Sequence, residues 1–267
     1  YSHPDERAGK TFVFPHIFAE VMDEYMRRWN VSEEDLARIA VLEYENARHN
    51  PCAQMQKVQI SLEQALAIEG FNRYIVDGLP LKTYDCSQIT DGYASLILAT
   101  EEGLDRLGVR KADAVRLAGY GQATDPLSRA GRDVLHPAGA RRAMARAYEM
   151  AGIGPEQVNV AEIHDCFTVM GAIGTEVIGR AEPGQGARFW AEGKARPDGA
   201  CAINTSGGLI AKGHPVGATG VAMIGWAAQQ LLGKAPQPVQ VQNARAAATF
   251  NIGGPLCASV CTVLTRG

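Results

Sequence analysis

Hydrophobic residues recur at helical spacing near the start of the chain. Between residues 14 and 29 the apolar positions fall three or four apart, which predicts an amphipathic helix that stops at Asn30. Ser32 followed by Asp35 has the form of a capping box and predicts the start of a second helix. Residues 1–80 are therefore predicted to form mostly helices and loops, without a strand.

The pattern changes after Gly92, where short apolar runs alternate with helical patterns. The alternation predicts a layered α/β domain. A long surface excursion is expected over residues 183–197. The predicted strands are 93–99, 114–119, 157–163, 200–205, 246–252 and 257–264, and the predicted helices follow His136-Pro137, Phe167 and the glycine-rich loop 206–220. Gly253-Gly254-Pro255 joins the last two strands and predicts a hairpin.

Composition and charge narrow the function classes. With 46% hydrophobic residues and a net charge of only −3, the 267-residue chain is not of disordered composition. Its 26 Lys and Arg against 29 Asp and Glu give no electrostatic basis for binding nucleic acid or an anionic membrane. The longest apolar stretch, 216–228, is shorter than the roughly 20 residues of a membrane span. Six scattered cysteines without a C-x-x-C pair favour a reducing, cytoplasmic compartment.

Common nucleotide-binding and hydrolase motifs fail on inspection. Gly208 and Gly213 have the spacing of a phosphate-binding loop, but His214-Pro215 stands where Lys and Ser or Thr are needed. The chain also lacks H-E-x-x-H and G-x-S-x-G. Phosphate-loop and serine-hydrolase functions are therefore disfavoured.

One candidate site is His164-Asp165-Cys166-Phe167, where a predicted strand meets a predicted helix. Strand geometry places His164 and Cys166 on one face and Asp165 on the other. A thiol at a helix N-terminus beside an imidazole is expected to have a lowered pKa and to exchange protons near neutrality. The alternative is a buried Cys beside a histidine that caps the helix. No metal is expected, because a third and fourth ligand are missing nearby.

The second candidate site joins Asn204-Thr205-Ser206-Gly207-Gly208 to Gly213-His214-Pro215. Pro215 suits the first turn of a helix, so His214 is expected near the N-cap, where the dipole favours a neutral imidazole. A neutral N–H donor there can stabilise an oxyanion in acyl or enolate chemistry. A tight crossing of helix and sheet would also explain the glycines, but not the histidine.

Together these segments resemble the thiolase superfamily over nearly the whole chain. Gly213-His214-Pro215 is similar to the G-H-P motif, and His164-Asp165-Cys166-Phe167 is similar to the H-D-C-F motif of the sterol-carrier-protein type. Asn251-Ile252-Gly253 stands in the place of C-x-G, with Asn for Cys. In this type the second catalytic Cys comes from H-D-C-F, so Cys166 and the missing Cys are consistent.

The resemblance implies roles for six residues. His214 would activate a nucleophilic Cys and help to stabilise an enolate oxyanion, His164 would give that oxyanion a second donor, and Cys166 would be the acid/base at the α-carbon. The backbone N–H of Gly253 would donate to the thioester oxyanion. Ser206 and Gly207 would lie along the pantetheine arm of coenzyme A, which is a substrate; no permanently bound cofactor is implied.

The resemblance also implies a fold and a missing part. The expected fold is the layered α-β-α-β-α thiolase fold: a helical loop domain (1–84), the last strand and helix of the N-terminal half (85–111) and a complete C-terminal half (112–267). No motif here matches the nucleophilic Cys of the family, since Cys86 comes too late in the order. An N-terminal thiolase segment is therefore expected to supply it. A homodimer or heteromer, and a small zinc-ribbon/OB-fold subunit, are further partners implied by analogy.

The expected function is an acyl-CoA thiolase that cleaves or forms a β-ketoacyl-CoA through an acyl-cysteine intermediate. A branched or aromatic acyl chain in a degradation pathway is the expected substrate. Two alternatives stay open. The first is a thiolase-like aldolase or acyltransferase; the presence of His164 disfavours the aldolase, which tends to depart from the thiolase acid/base set. The second is a non-catalytic CoA-binding or scaffold subunit, which the absent nucleophile suggests.

Overall fold

The computed structural model describes residues 2–266. The long helices follow the predicted amphipathic patterns, and both Ser32 and Ser61 close capping boxes, with Asp35 and Gln64 respectively. The α-helices are α1 Pro4–Arg7, α2 Val13–Trp29, α3 Glu33–Ala47, α4 Leu62–Leu66, α5 Glu101–Leu107, α6 Ala138–Ala151, α7 Thr168–Val177, α8 Gly186–Ala191 and α9 Thr219–Leu231.

Within residues 2–266, five strands form one mixed sheet in the order β1-β5-β4-β2-β3. The two parallel pairs, β2 with β3 and β2 with β4, lie at one side, and the antiparallel pairs of β5 with β4 and β1 lie at the other. The predicted terminal hairpin is confirmed as β4 and β5. The strands are β1 Val115–Thr124, β2 Val160–Ile163, β3 Ala202–Ile203, β4 Ala246–Gly253 and β5 Ala258–Arg266.

Helices cover both faces of this sheet. Helix α6 packs on β1 and β5, and helix α9 packs on β4 and β2. The α6 contact is close because two glycines of β1 face its backbone. A Cβ built on Gly119 or Gly121 would overlap the carbonyl oxygen of Ala147 or Ala143. The sheet and α6 are thus in backbone contact at these positions.

The predicted loop-domain helices share a core with the sheet domain. Phe18 of α2 stacks on Phe167 with ring centroids 4.7 Å apart, and the Tyr25 hydroxyl donates to Glu176 of α7. Helix α3 packs against α7, α8 and a π-helical turn at Gly208–Lys212. This packing brings α3 directly behind the second candidate segment.

Three expectations about elements are wrong. Residues 93–99 form no strand, since within residues 2–266 no neighbouring strand pairs with them, and the Tyr93 side chain is 95% exposed. The strand expected over 200–205 is only Ala202–Ile203, because Ala200 and Cys201 lie in a bend and the chain leaves the sheet after Ile203 for a buried turn. The excursion at 183–197 contains α8, whose Trp190 is buried and donates to Thr175.

No helix within residues 2–266 has the length and apolarity needed to cross a membrane.

Candidate active site

The site forms where β2 and the turn after β3 leave the sheet. Strand β2 pairs in parallel with β4, and the ladder continues one step further, because the backbone N–H of His164 donates to Phe250 at 2.8 Å. The segment between β2 and α7 carries His164, Asp165 and Cys166, as the sequence predicts. These residues therefore lie at the carboxyl end of a central strand, where parallel sheets present their functional groups.

The two motif histidines are brought together. The rings of His164 and His214 meet edge to face, with centroids 4.9 Å apart. His164 Nδ1 lies 2.7 Å from Asn251 Oδ1 on β4, and His214 Nδ1 lies 2.7 Å from the Thr219 hydroxyl at the start of α9. Each ring is therefore oriented by one polar side chain.

These partners define the tautomers. The Thr219 hydroxyl donates to the carbonyl oxygen of Pro215 at 3.1 Å, so it accepts from Nδ1–H of His214. Asn251 Oδ1 is an acceptor as well, so His164 also carries its proton on Nδ1. Each Nε2 then has a free lone pair and can accept a proton. A free Nε2 on His214 agrees with the expected activation of a nucleophilic Cys, whereas the expected donation by His164 to an oxyanion requires its proton on Nε2 instead.

Both histidines are neutral because they lose hydration: His164 is buried and His214 is partly buried. Burial lowers the pKa of His164 to about 3, helped by the positive charges of a protonated His214 and of Lys212, although the bond to Asn251 acts in the opposite direction. Burial also lowers the pKa of His214. The expected N-cap position of His214 is wrong, since α9 begins five residues later, at Thr219. Its neutrality therefore comes from burial.

Cys166 is buried, with 8% of its surface exposed. Burial, followed by the nearby Asp165, raises the pKa of its thiol well above the ordinary value, although the backbone N–H groups of Cys166 and Phe167 act in the opposite direction. The expected lowering of this pKa is therefore wrong, because loss of hydration outweighs the helix N-terminus. The alternative of a capping histidine is not seen either, since no side chain caps α7.

A polar segment crosses the site and touches both motifs. The backbone N–H of Ser87 donates to the carbonyl oxygen of Cys166 at 2.9 Å, and the Thr90 hydroxyl accepts from the backbone N–H of His214 at 2.9 Å. Thr90 also bonds Gln54. Residues 87–90 thus bridge Cys166 and His214, a connection that the sequence analysis did not identify.

The remaining predicted residues differ in their surroundings. Gly253 ends β4 two residues after Asn251, so both lie on the same face of the strand, and Gly253 is exposed. Ser206 is fully buried and its hydroxyl donates to Glu162, while Gly207, at φ +98°, is pressed against Ala47. The contact of Ser206 and Gly207 with pantetheine stays a prediction, and neither residue offers an exposed surface in this conformation.

Sequence reasoning missed a group of buried carboxyls behind the site. Asp165 accepts the backbone N–H groups of Leu209 and Ile210, and Glu43 of α3 and Glu162 of β2 lie nearby. Glu43 falls on the apolar stripe of α3, which is the signal that could have revealed it. Over residues 2–266 no set of three or more His, Cys, Asp or Glu side chains is arranged to hold a metal ion.

Comparisons with known proteins agree on one family. Residues 121–266 match the family described as thiolase C-terminal domain-like. Acetyl-CoA acetyltransferase of Methanothermobacter thermautotrophicus is 33% identical over 95% of this chain and 63% of its own length. Benzoylsuccinyl-CoA thiolase subunit BbsB of Thauera aromatica is 32% identical over 89% and 59%, and bovine sterol carrier protein 2 is 34% identical over 90% and 44%.

Solved structures show the same fold. An Ltp2-ChsH2(DUF35) aldolase superposes with a TM-score of 0.80 at 22% identity over 94% of this chain and 63% of that chain. A monomeric SCP2-thiolase-like protein type 1 from Mycobacterium smegmatis gives 0.71 at 19% identity over 97% and 53%. The chain spans about three fifths of the length of the first curated relatives. The chain belongs to the thiolase superfamily, and its relatives include the sterol-carrier-protein type.

Proposed function

We propose that this chain supplies the acid/base and oxyanion-binding half of a thiolase active site. The reaction would cleave or form a β-ketoacyl-CoA by Claisen chemistry through an acyl-cysteine intermediate. One observation carries the proposal: two neutral histidines, His164 buried and His214 partly buried, meet at 4.9 Å beside the segment that holds Cys166. Claisen chemistry needs neutral groups that can exchange protons and bind developing oxyanions in a dry site.

In this proposal each residue has one task. His214 takes the proton of the nucleophilic Cys through its free Nε2; once protonated, it can donate to an oxyanion. His164 donates to the enolate oxygen after its proton shifts from Nδ1 to Nε2, and the backbone N–H of Gly253 donates to the thioester oxyanion. Cys166, held as a thiol by its raised pKa, gives its proton to the enolate carbon in cleavage. In synthesis Cys166 would first give its proton to the CoA thiolate that leaves as the nucleophilic Cys is acylated, and the resulting thiolate would then remove the α-proton of the second acyl-CoA.

The nucleophile itself would come from an N-terminal thiolase segment. We expect residues 1–84 to act as the loop domain, 85–111 as the end of the N-terminal half and 112–267 as the C-terminal half. Exposed apolar side chains of residues 89–98, with Ile89 99% exposed and Ile97 87% exposed, give such a segment a surface to pack on. A homodimer or a heteromer with a zinc-ribbon/OB-fold subunit is part of the proposal.

The names of two similar proteins support partners and an acyl-CoA substrate. One relative is named as a subunit of benzoylsuccinyl-CoA thiolase, and one similar structure pairs Ltp2 with a DUF35 protein. We therefore expect a branched or aromatic β-ketoacyl-CoA, bound as a substrate together with CoA. All six cysteines are unpaired, which agrees with a reducing, cytoplasmic compartment.

Substitution of Cys166 in the assembled enzyme tests the proposal. Cys166→Ala should abolish cleavage of a β-ketoacyl-CoA and leave acyl loading of the other Cys from a simple acyl-CoA measurable, because that thioester exchange needs no proton transfer at the α-carbon. Cys261→Ala is the matched control, since Cys261 is buried in β5. Turnover that is unchanged in Cys166→Ala would remove this residue from the mechanism and would favour a scaffold role.

A retro-aldol reaction is the second candidate, and the Ltp2-ChsH2(DUF35) structure shares its fold with this chain. The two reactions differ in the acyl acceptor. A thiolase cannot turn over without free CoA, whereas a retro-aldol cleavage releases a carbonyl compound and consumes no CoA. Product formation from an acyl-CoA in the absence of free CoA would therefore favour the aldolase.

A further inference from the structure

A carboxyl group is buried between the loop-domain helix and the turn that leads to His214. Glu43 lies on α3 with none of its surface exposed. Its Oε1 accepts from the side-chain amide of Asn204 at 2.9 Å. Its Oε2 is buried and receives no N–H or O–H donor. An ionised carboxylate with an unsatisfied buried oxygen is costly, whereas a carboxylic acid needs only an acceptor.

Asp165 provides that acceptor. Its carboxylate receives the backbone N–H of Leu209 at 2.8 Å and that of Ile210 at 3.2 Å. A Cβ built on Gly208 would collide with Asp165 Oδ2 and with Glu43 Oε1, so both carboxyl groups lie against the same α-carbon. Two carboxyl groups this close in a dry site cannot both be ionised without strong repulsion.

Among the described residues, no positive charge contributes to the shift in the pKa of Glu43. Burial raises the pKa of Glu43 well above its ordinary value, and the charge and hydrogen bond of Asp165 add to this, as does Glu162; only the Asn204 amide lowers it. Tyr44, the next residue on α3, is buried as well, and its side chain brings no positive charge. Lys212 of the turn acts on Glu162 instead, whose pKa it lowers against the effect of burial. Apart from the Asn204 amide, the groups that shift the pKa of Glu43 therefore favour its neutral form.

We propose that Glu43 is a carboxylic acid that donates its proton to Asp165 and so ties α3 to the Gly208–Lys212 turn. The turn leads directly to His214, so Glu43 is a positioning residue for that histidine. The bond is made only while the proton is present. Loss of the proton would place two negative charges against Gly208 and loosen the turn.

Stability as a function of pH tests this assignment. A Gln side chain has the shape of Glu43, donates to Asp165 and cannot titrate. The proton of Glu43 is lost at a higher pH in the folded chain than in the unfolded chain, whose pKa is about 4.5. As the pH rises above 4.5, the wild type should therefore lose stability relative to Glu43→Gln. The folding equilibrium constant should fall by up to about tenfold per pH unit. Glu45→Gln is the matched control, because Glu45 lies on the same helix, is exposed and pairs with Arg196.

Infrared spectroscopy of the wild type gives an answer even if the variants fold poorly. At pH 8.5 Glu162 and Glu176, whose pKa values are about 7, have lost most of their protons. A carbonyl band of a protonated carboxyl should nevertheless persist, vanish in Glu43→Gln and remain in Glu45→Gln. Absence of the band at pH 8.5, or parallel pH dependence of wild type and Glu43→Gln, would overturn the proposal. Both measurements are made without substrate, so their outcome is independent of the proposed thiolase reaction.

Discussion

The buried neutral state of His164 has a direct consequence for stability. A histidine whose pKa falls from 6.5 unfolded to about 3 folded binds its proton mainly in the unfolded chain at intermediate pH. Stability is therefore intact above pH 6.5 and is lost progressively as the pH falls towards 3. The loss approaches about 1.4 kcal/mol per pH unit once the pH is below 6.5 and is small above it. Between pH 7 and pH 5 this one group should therefore remove about 2 kcal/mol of unfolding free energy.

His164→Asn isolates this contribution. Loss of ring packing lowers the stability of the variant by the same amount at every pH, whereas the titration contributes only to the wild type. Urea unfolding at pH 7, 6 and 5 should therefore show the gap between the two proteins narrowing by about 2 kcal/mol as the pH falls. His16→Asn, at a partly exposed site on α2, is the control for losing an imidazole.

Other buried groups titrate in the same range, but they cancel in the comparison. Burial raises the pKa of Glu162 to about 7, so that carboxyl stabilises the fold as the pH falls, which is the opposite sign. It is present in the wild type and in the variant alike. A gap that stays constant from pH 7 to pH 5 would show that His164 is hydrated or charged in the folded state, and would refute the burial argument.

Two further predictions concern single contacts. Asn251→Asp should raise the pKa of His164, because a carboxylate then faces its Nδ1–H; an imidazole NMR titration measures this, and an unchanged value would contradict the observed bond. Gly121→Ala should destabilise the fold by about 3 kcal/mol or more in thermal unfolding, since the Cβ overlaps Ala143. Gly217→Ala, where the Cβ meets open space, should stay within about 0.5 kcal/mol. Equal effects of the two glycine variants would refute the packing argument.

The sequence predicted those elements whose signals are local. The amphipathic pattern and capping residues gave α2 and α3, and the Gly253-Gly254-Pro255 break between apolar runs gave the hairpin of β4 and β5. The run at 93–99 was misread because strand formation depends on a neighbour that pairs with it, and sequence preference alone does not provide one.

The chemistry of the site was less predictable because it depends on distant contacts. The motifs located His164, Cys166 and His214, but their protonation states follow from burial and from neighbours far along the chain. The raised pKa of Cys166 comes from loss of hydration, which strand and helix positions do not reveal. Asn251 was identified as a departure from a motif, and its bond to His164 appeared only with the pairing of β2 and β4.

The location of the acyl intermediate tests the proposed division of labour most directly. The complete enzyme that contains this chain would be incubated with an acyl-CoA, quenched in acid and mapped by peptide mass spectrometry. We predict one thioester adduct on a cysteine outside residues 1–267 and none on the six cysteines of this chain. An adduct on Cys166 would show that this residue is the nucleophile, and would contradict its proposed role as the acid/base.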